Sequence, residues 1–309
     1  MNTQSNAIPE SPLESHVIAP AVIPASRRMY WSVRRELWEN RSIYIAPLAV
    51  AALILVGFLI STIHLPDEMR AALALDPAQQ QELIEQPYTF AALLLMFTTF
   101  VVGVFYCVDA LQGERRDRSI LFWKSLPVSD LTTVLSKASI PFVVLPLVTF
   151  AVTVVTQGIM LLLGSARLLG SGQSATLWAH VSLFQMSVML LYHLVAVHAL
   201  WWAPLWGWLL LVSAWARRAA FLWATLPLLA IGILEKIAFN TSHFAAMLAY
   251  RFLGGPEGVA SSGNRISMAS LTPATPGDFL TSPGLWIGLA FAAACLVAGV
   301  RLRRYREPI

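Results

Sequence analysis

The chain has 309 residues, of which 57% are hydrophobic and only 12% charged, with a formal net charge of +4. That balance, with a mean hydropathy of +0.65, excludes an ordinary soluble domain, so domain counts drawn from length do not apply. The small positive excess suits basic anchors facing anionic lipid and does not imply nucleic acid.

Residues 1–26 are polar and dotted with proline, with no apolar h-region of a signal peptide. They read as a disordered cytoplasmic tail. Residues 26–40 follow, with Ser26 able to cap a helix. Tyr30, Val33 and Leu37 share one helical face, Trp31 and Trp38 flank it, and Arg34, Arg35 and Glu36 are expected to point elsewhere. Such a Trp- and Arg-rich amphipathic helix lies in the plane of the membrane interface. The plainer alternative is an aromatic and basic anchor for the first span.

A hydrocarbon core of roughly 30 Å needs about 20 apolar residues in a helix. Six stretches qualify, at about 43–63, 89–111, 139–163, 178–215, 219–239 and 283–300. Each must be helical, because lipid offers no partner to a free backbone N–H or C=O. The expected fold is therefore an all-α polytopic membrane protein. With six spans, one side collects Arg27, Arg28, Arg34, Arg35, Arg41, Arg115, Arg116, Arg118, Lys124, Lys137, Arg217, Arg218, Arg301, Arg303, Arg304 and Arg306, which is 16 of the 21 Lys and Arg. The positive-inside rule makes that side, and both termini, cytoplasmic. The stretch 178–215 is too long for one upright span and too short for two. Pro204 and Gly207 should kink or break it, and we read it as one bent helix. Cys107 and Cys295 both fall in spans and read as small buried apolar residues, not a disulfide.

The most informative polar segment is 112–137. Glu114, Arg115, Arg116, Asp117 and Arg118 form a charged cluster, followed by the apolar patch Ile120, Leu121, Phe122 and Trp123, then Lys124, a break at Pro127, and a new helix capped by Ser129 or Asp130. An apolar patch on a short loop is handed either to a partner protein or to the headgroup region. This segment resembles the first cytoplasmic loop of type-2 ATP-binding-cassette permeases. There, a charged run leads through a short helix to a turn like Ser125-Leu126-Pro127-Val128-Ser129. The family usually has Gly-Thr after the charged run, where this chain has Arg118-Ser119.

The resemblance extends over the chain: six spans, an in-plane helix before the first, and a longer external segment before the sixth, here 241–282. Within that segment Phe244, Met247, Leu248 and Phe252 make one helical face, and 254–277 is rich in Gly, Ser and Pro and reads as loop. The resemblance implies that 27–309 is a permease domain of a bacterial inner membrane and a subunit of an exporter. It implies two copies of the permease, each holding a separate P-loop ATPase on the first cytoplasmic loop. ATP and Mg would belong to that partner. No G-x-x-x-x-G-K-[ST] stands in this chain, and no cofactor is expected on it.

Candidate pathway residues are Gln157, Gln185, Tyr192, His193 and Glu235. Polar side chains within spans line a path or bond across helices. His193 and His198, five apart, should point to different faces of an α-helix, and no H-E-x-x-H is present to make a zinc site. Glu235 and Lys236 are adjacent, cannot pair with each other, and are expected to snorkel to the outer interface. Two other classes remain in view. An ion-gradient carrier should show internal repeats and paired broken helices, and only the Pro204 break is visible. A membrane enzyme should show converging acids, bases or ligands, and none is evident. The few ionisable groups in the spans favour small amphiphiles as cargo.

Overall fold

The computed structural model describes residues 24–117, 128–253 and 276–305. Among these, every regular element is helical, and six helical stretches are long and apolar enough to cross a bilayer: Ser42–Ser61, Gln79–Arg116, Asp130–Ser171, Ser174–Trp201, Ala220–Phe239 and Pro283–Tyr305. Each overlaps one of the six expected spans, although the fourth ends at Trp201 and the rest of 178–215 forms the separate shorter helix Ala203–Trp215. Their outward faces carry bare apolar side chains, with Leu53 69%, Phe97 63% and Ile237 77% exposed. A water-soluble chain does not display such a continuous apolar surface.

Helix α1 (Ala25–Glu39) begins after Pro24, so Ser26 lies inside the helix and does not cap it. Helix α2 (Ser42–Ser61) is apolar throughout. A short α3 (Leu65–Ala72) has Pro66 and two acids in its first turn, where the helix dipole favours negative charge. Helix α4 (Pro77–Asp109) starts twelve residues before the expected span. At 1.5 Å per residue its 33 residues reach about 50 Å, more than the bilayer core requires. Helix α5 (Gln112–Arg116) is a single turn.

Helix α6 (Asp130–Ser139) is capped by Ser129, whose Oγ accepts from the Thr132 N–H at 3.1 Å. A π-helical turn at Ile140–Val144 contains Pro141, which has no N–H for a regular ladder, and leads into α7 (Leu145–Leu168). Past a further break come α11 (Ala220–Phe239), α12 (His243–Leu253), α13 (Pro276–Thr281) and α14 (Pro283–Tyr305). The helix at Pro276–Thr281 takes two residues from the expected loop. The rest of that loop lies outside the described residues.

The stretch expected as one bent helix is broken into pieces: α8 (Ser174–His180), extended Val181 and Ser182, α9 (Leu183–His193), a π-helical segment Leu194–Trp201, and α10 (Ala203–Trp215). It nevertheless runs in one overall direction along the bundle. Leu177 packs with Tyr88 near one end of α4, while Ser213 bonds to Leu111 beyond the other. The last break falls at Trp202, with Pro204 in the first turn of α10. Gly207 serves a different purpose from a kink. A Cβ there would come within 2.9 Å of the Ala292 Cα, so its absence lets α10 lie directly on α14. Close backbone approach through small residues is how helices gain van der Waals contact in lipid.

The core has two main clusters. One joins Ile43, Tyr106, Cys107, Ile140, Leu145 and Trp206. The other, toward the far end of α4, joins Phe58, Met69, Tyr88, Met160 and Leu177. Cys107 and Cys295 are buried and free, as expected. Arg35, Lys137 and Arg303 meet at Glu114, so α1 and the end of α14 stand at the same end of the bundle. We call this the basic end.

Candidate functional site

The basic end is organised around two carboxylates withdrawn from solvent, Glu36 at 1% exposure and Glu114 at 7%. Lys137, itself 2% exposed, places Nζ 2.9 Å from Glu36 Oε1 and 3.2 Å from Glu114 Oε1. Arg303 donates from Nη1 to Glu114 Oε2 at 2.6 Å and from Nε to Asp130 Oδ1 at 3.0 Å. Arg35 donates to Glu114 at 3.0 Å and to Glu36 at 3.2 Å, and the Tyr106 hydroxyl donates to Glu36 Oε2 at 2.9 Å. Arg35, Lys137 and Arg303 thus pair with Glu36, Glu114 and Asp130, and Arg35 also reaches Glu39 at 3.1 Å. Buried charges persist only when paired and hydrogen-bonded, and this set meets that condition. It ties α1, α5, α6 and α14 into one block.

A second tie stands beside it. Ser213 Oγ of α10 accepts from the backbone N–H groups of Leu111 (2.9 Å) and Gln112 (3.0 Å), where α4 ends and α5 begins. The Arg115 guanidinium donates to the carbonyls of Ser213 and Ala216, and Gln112 Oε1 accepts from the Ala220 N–H. Both ends of the connection between the second and third spans are therefore anchored: at α5 to α1, α10 and α14, and at α6 to α1 and α14.

Several expected coupling residues occupy this block, not an open surface. Glu114 is interior, and Arg115 is engaged with α10. Arg116 and Asp117 are exposed and pair with each other at 3.3 Å, and Arg116 also reaches Asp109 at 3.4 Å. Arg118, Ile120, Leu121, Phe122, Trp123, Lys124 and Pro127 lie outside the described residues. On α1, Val33 and Leu37 pack against the core while Tyr30, Trp31 and Trp38 are exposed. Tyr30 thus leaves the face it was expected to share, turning instead to Trp31 at 5.5 Å. Arg34 lies over the Trp31 and Trp38 rings at 5.1 and 4.9 Å.

Glu36 corrects the reading that it points away from the packed face. It follows Val33 by three positions, a helical neighbour, and that spacing was the available signal. Lys137, Arg303 and Ser213 were missed as members of one site. Lys137 and Arg303 looked like ordinary positive-inside anchors, and Ser213 carried no signal at all.

The middle of the bundle holds a second polar group. Trp202 N bonds to Val197 O at 3.0 Å, five residues back, so the His198 carbonyl loses its regular partner. The Trp206 indole N–H donates to that carbonyl at 2.9 Å instead. Gly103 leaves room for the same indole, since a Cβ there would sit 3.1 Å from it. The i→i+5 geometry also revises the histidines. His193 stands at the N-terminal boundary of the π-helical segment and His198 within it, so the five-residue spacing spans an i→i+5 turn and not an α-helical one. The His198 ring lies 5.4 Å from both Trp202 and Trp206. Both His198 nitrogens, His193 Nδ1, Thr153 Oγ1 and Trp202 Nε1 are buried without a hydrogen-bond partner among the described residues.

The other candidate pathway residues are scattered. Gln157 is buried and donates to the Tyr88 carbonyl at 3.1 Å. Gln185 is exposed near the start of α9, and Tyr192 packs beside the Trp201 cluster. Glu235 does not simply snorkel. Its carboxylate accepts from Thr241 Oγ1 and from the His243 and Phe244 N–H groups at 2.7–2.8 Å, closing the turn into α12. On α12, Phe244 and Leu248 are half-buried while Met247 and Phe252 are exposed. Among the described residues, no group of three or more His, Cys, Asp or Glu could hold a metal ion. The chain matches no protein-family model, no curated protein and no solved structure.

Proposed function

We propose that this chain is the membrane subunit of an ATP-driven transporter, working as an exporter with a separate P-loop ATPase on the connection between its second and third spans. The observation that carries the reading is the buried ion network. It joins both anchors of that connection, Glu114 and Asp130, to α1 through Arg35 and Glu36 and to α14 through Arg303. A push on residues 118–127 would reach three other helices without bending the chain between. The basic end would face the cytoplasm of a bacterial inner membrane, with α1 in the interface plane. Two permeases would meet on a two-fold axis, each carrying one ATPase that supplies ATP and Mg.

The test is capture and reconstitution. Tagged full-length chain should recover a P-loop ATPase, and the pair in vesicles should move cargo only with ATP. Phe122→Asp with Trp123→Asp should abolish transport and ATPase recovery while leaving membrane insertion intact. Transport by the lone chain without ATP would overturn the proposal.

One observation favours a gradient-driven carrier as the second reading. The broken stretch places His193 Nδ1 and both His198 nitrogens, without hydrogen-bond partners among the described residues, at a π-helical segment inside the bundle, and irregular backbone with buried polar groups marks ion and substrate sites in carriers. Transport driven by an imposed pH gradient, and lost in His198→Gln, would select it.

A further inference from the structure

An open groove of about 430 Å³ runs between α6 and α14 on the outside of the bundle. Leu131, Leu135, Ala293, Leu296 and Val297 line it, and Arg301 stands at one end. Its lining is apolar apart from Arg301, and Leu131, Leu135, Ala293 and Val297 are exposed.

We infer that this groove binds an anionic phospholipid, with one acyl chain along α14 and the phosphate at Arg301. Three observations fit that occupant. From Ala293 to Arg301 is eight residues of helix, about 12 Å, close to the roughly 15 Å that one leaflet contributes to the hydrocarbon core. Arg301 lies two residues from Arg303 at the basic end, where the headgroups of that leaflet would stand. The nearby Arg303 is committed to Glu114 and Asp130, whereas Arg301 is exposed and has no ion-pair partner among the described residues. A cation at the mouth of an apolar slot complements a negative headgroup on an acyl chain. The slot abuts Asp130 and Lys137 through α6, so its occupant presses on the same block as the ion network. The inference needs only a membrane-spanning chain and holds whichever transport reading is correct.

Native mass spectrometry of the full-length chain in detergent, with added phosphatidylglycerol or phosphatidylcholine, tests it. Wild type should retain phosphatidylglycerol about five-fold better, one basic residue's share of anionic-lipid attraction. Arg301→Gln should remove that preference, while Arg301→Lys keeps it. Val297→Trp fills the groove from an exposed position and should release both lipids without lowering Tm. Preference surviving in Arg301→Gln, or lipid retained in Val297→Trp, would overturn the inference. So would loss of a dimer in Val297→Trp with lipid binding unchanged, which would assign the groove to a second copy.

Discussion

Removing the ammonium of Lys137 is the sharpest probe of the ion network. Lys137→Met keeps the length and most of the packing of the side chain but leaves Glu36 and Glu114, 1% and 7% exposed, without the cation that sits 2.9 and 3.2 Å from them. Breaking a buried pair by deleting one partner costs about 3–5 kcal/mol, because the stranded charge cannot be resolvated. An exposed pair is worth about 0–1 kcal/mol. Arg116→Gln, which loses contacts to Asp109 and Asp117 where all three side chains are more than half exposed, is the internal control. At about 2 °C per kcal/mol for a chain of this size, Lys137→Met should lower Tm by about 6–10 °C, and Arg116→Gln by no more than about 2 °C. The double variant Lys137→Met with Glu36→Gln removes one buried charge of each sign and should recover more than half of the loss. Intrinsic tryptophan fluorescence during heating of detergent-solubilised protein reads all three. A Lys137→Met protein that melts with the Arg116→Gln control would refute the claim that this network holds the four helices together.

Four other outcomes follow from the same reasoning. Gly207→Ala drives a methyl to within 2.9 Å of the Ala292 backbone, so it should destabilise by about 1–3 kcal/mol in a thermal melt. Gly57→Ala, with nothing within 4 Å of the new Cβ, should be neutral or stabilising by up to about 1 kcal/mol. Trp206→Phe leaves the His198 carbonyl without its indole donor and should cost about 1–3 kcal/mol plus a smaller packing loss, again by thermal melt. Ser213→Ala strands the Leu111 and Gln112 N–H groups, so limited proteolysis within 112–130 should accelerate several-fold, a local effect of about 1–3 kcal/mol.

Six helices long and apolar enough to cross were legible because the bilayer demands about 20 apolar residues per helix and leaves the backbone no alternative. The N-cap before α6 was legible to within one residue, since Ser129 and Asp130 both had the chemistry and only the geometry chose Ser129. The break near Pro204 was legible from a missing N–H. Its consequence was not, because the carbonyl that the Trp206 indole takes up is that of His198, freed when the Trp202 N–H reaches back to Val197 and not by the proline itself. The histidine spacing was laid on α-helical geometry, which the chain abandons at Leu194–Trp201.

Hydropathy and charge along the chain determine that six of its helices are long and apolar enough to cross a membrane, and which ends of the helices carry the basic residues. Those properties are sums over local segments, and the solvent enforces them without reference to neighbouring helices. Only the tertiary structure decided which of those basic residues are tied to buried carboxylates and which stand at the surface. Lys137, Arg303 and Arg301 look alike in a sequence, but two of them meet carboxylates more than 20 residues away and the third faces an apolar groove. Pairing of buried charge is a property of three-dimensional distance, and separations of up to 189 positions leave no local trace of it.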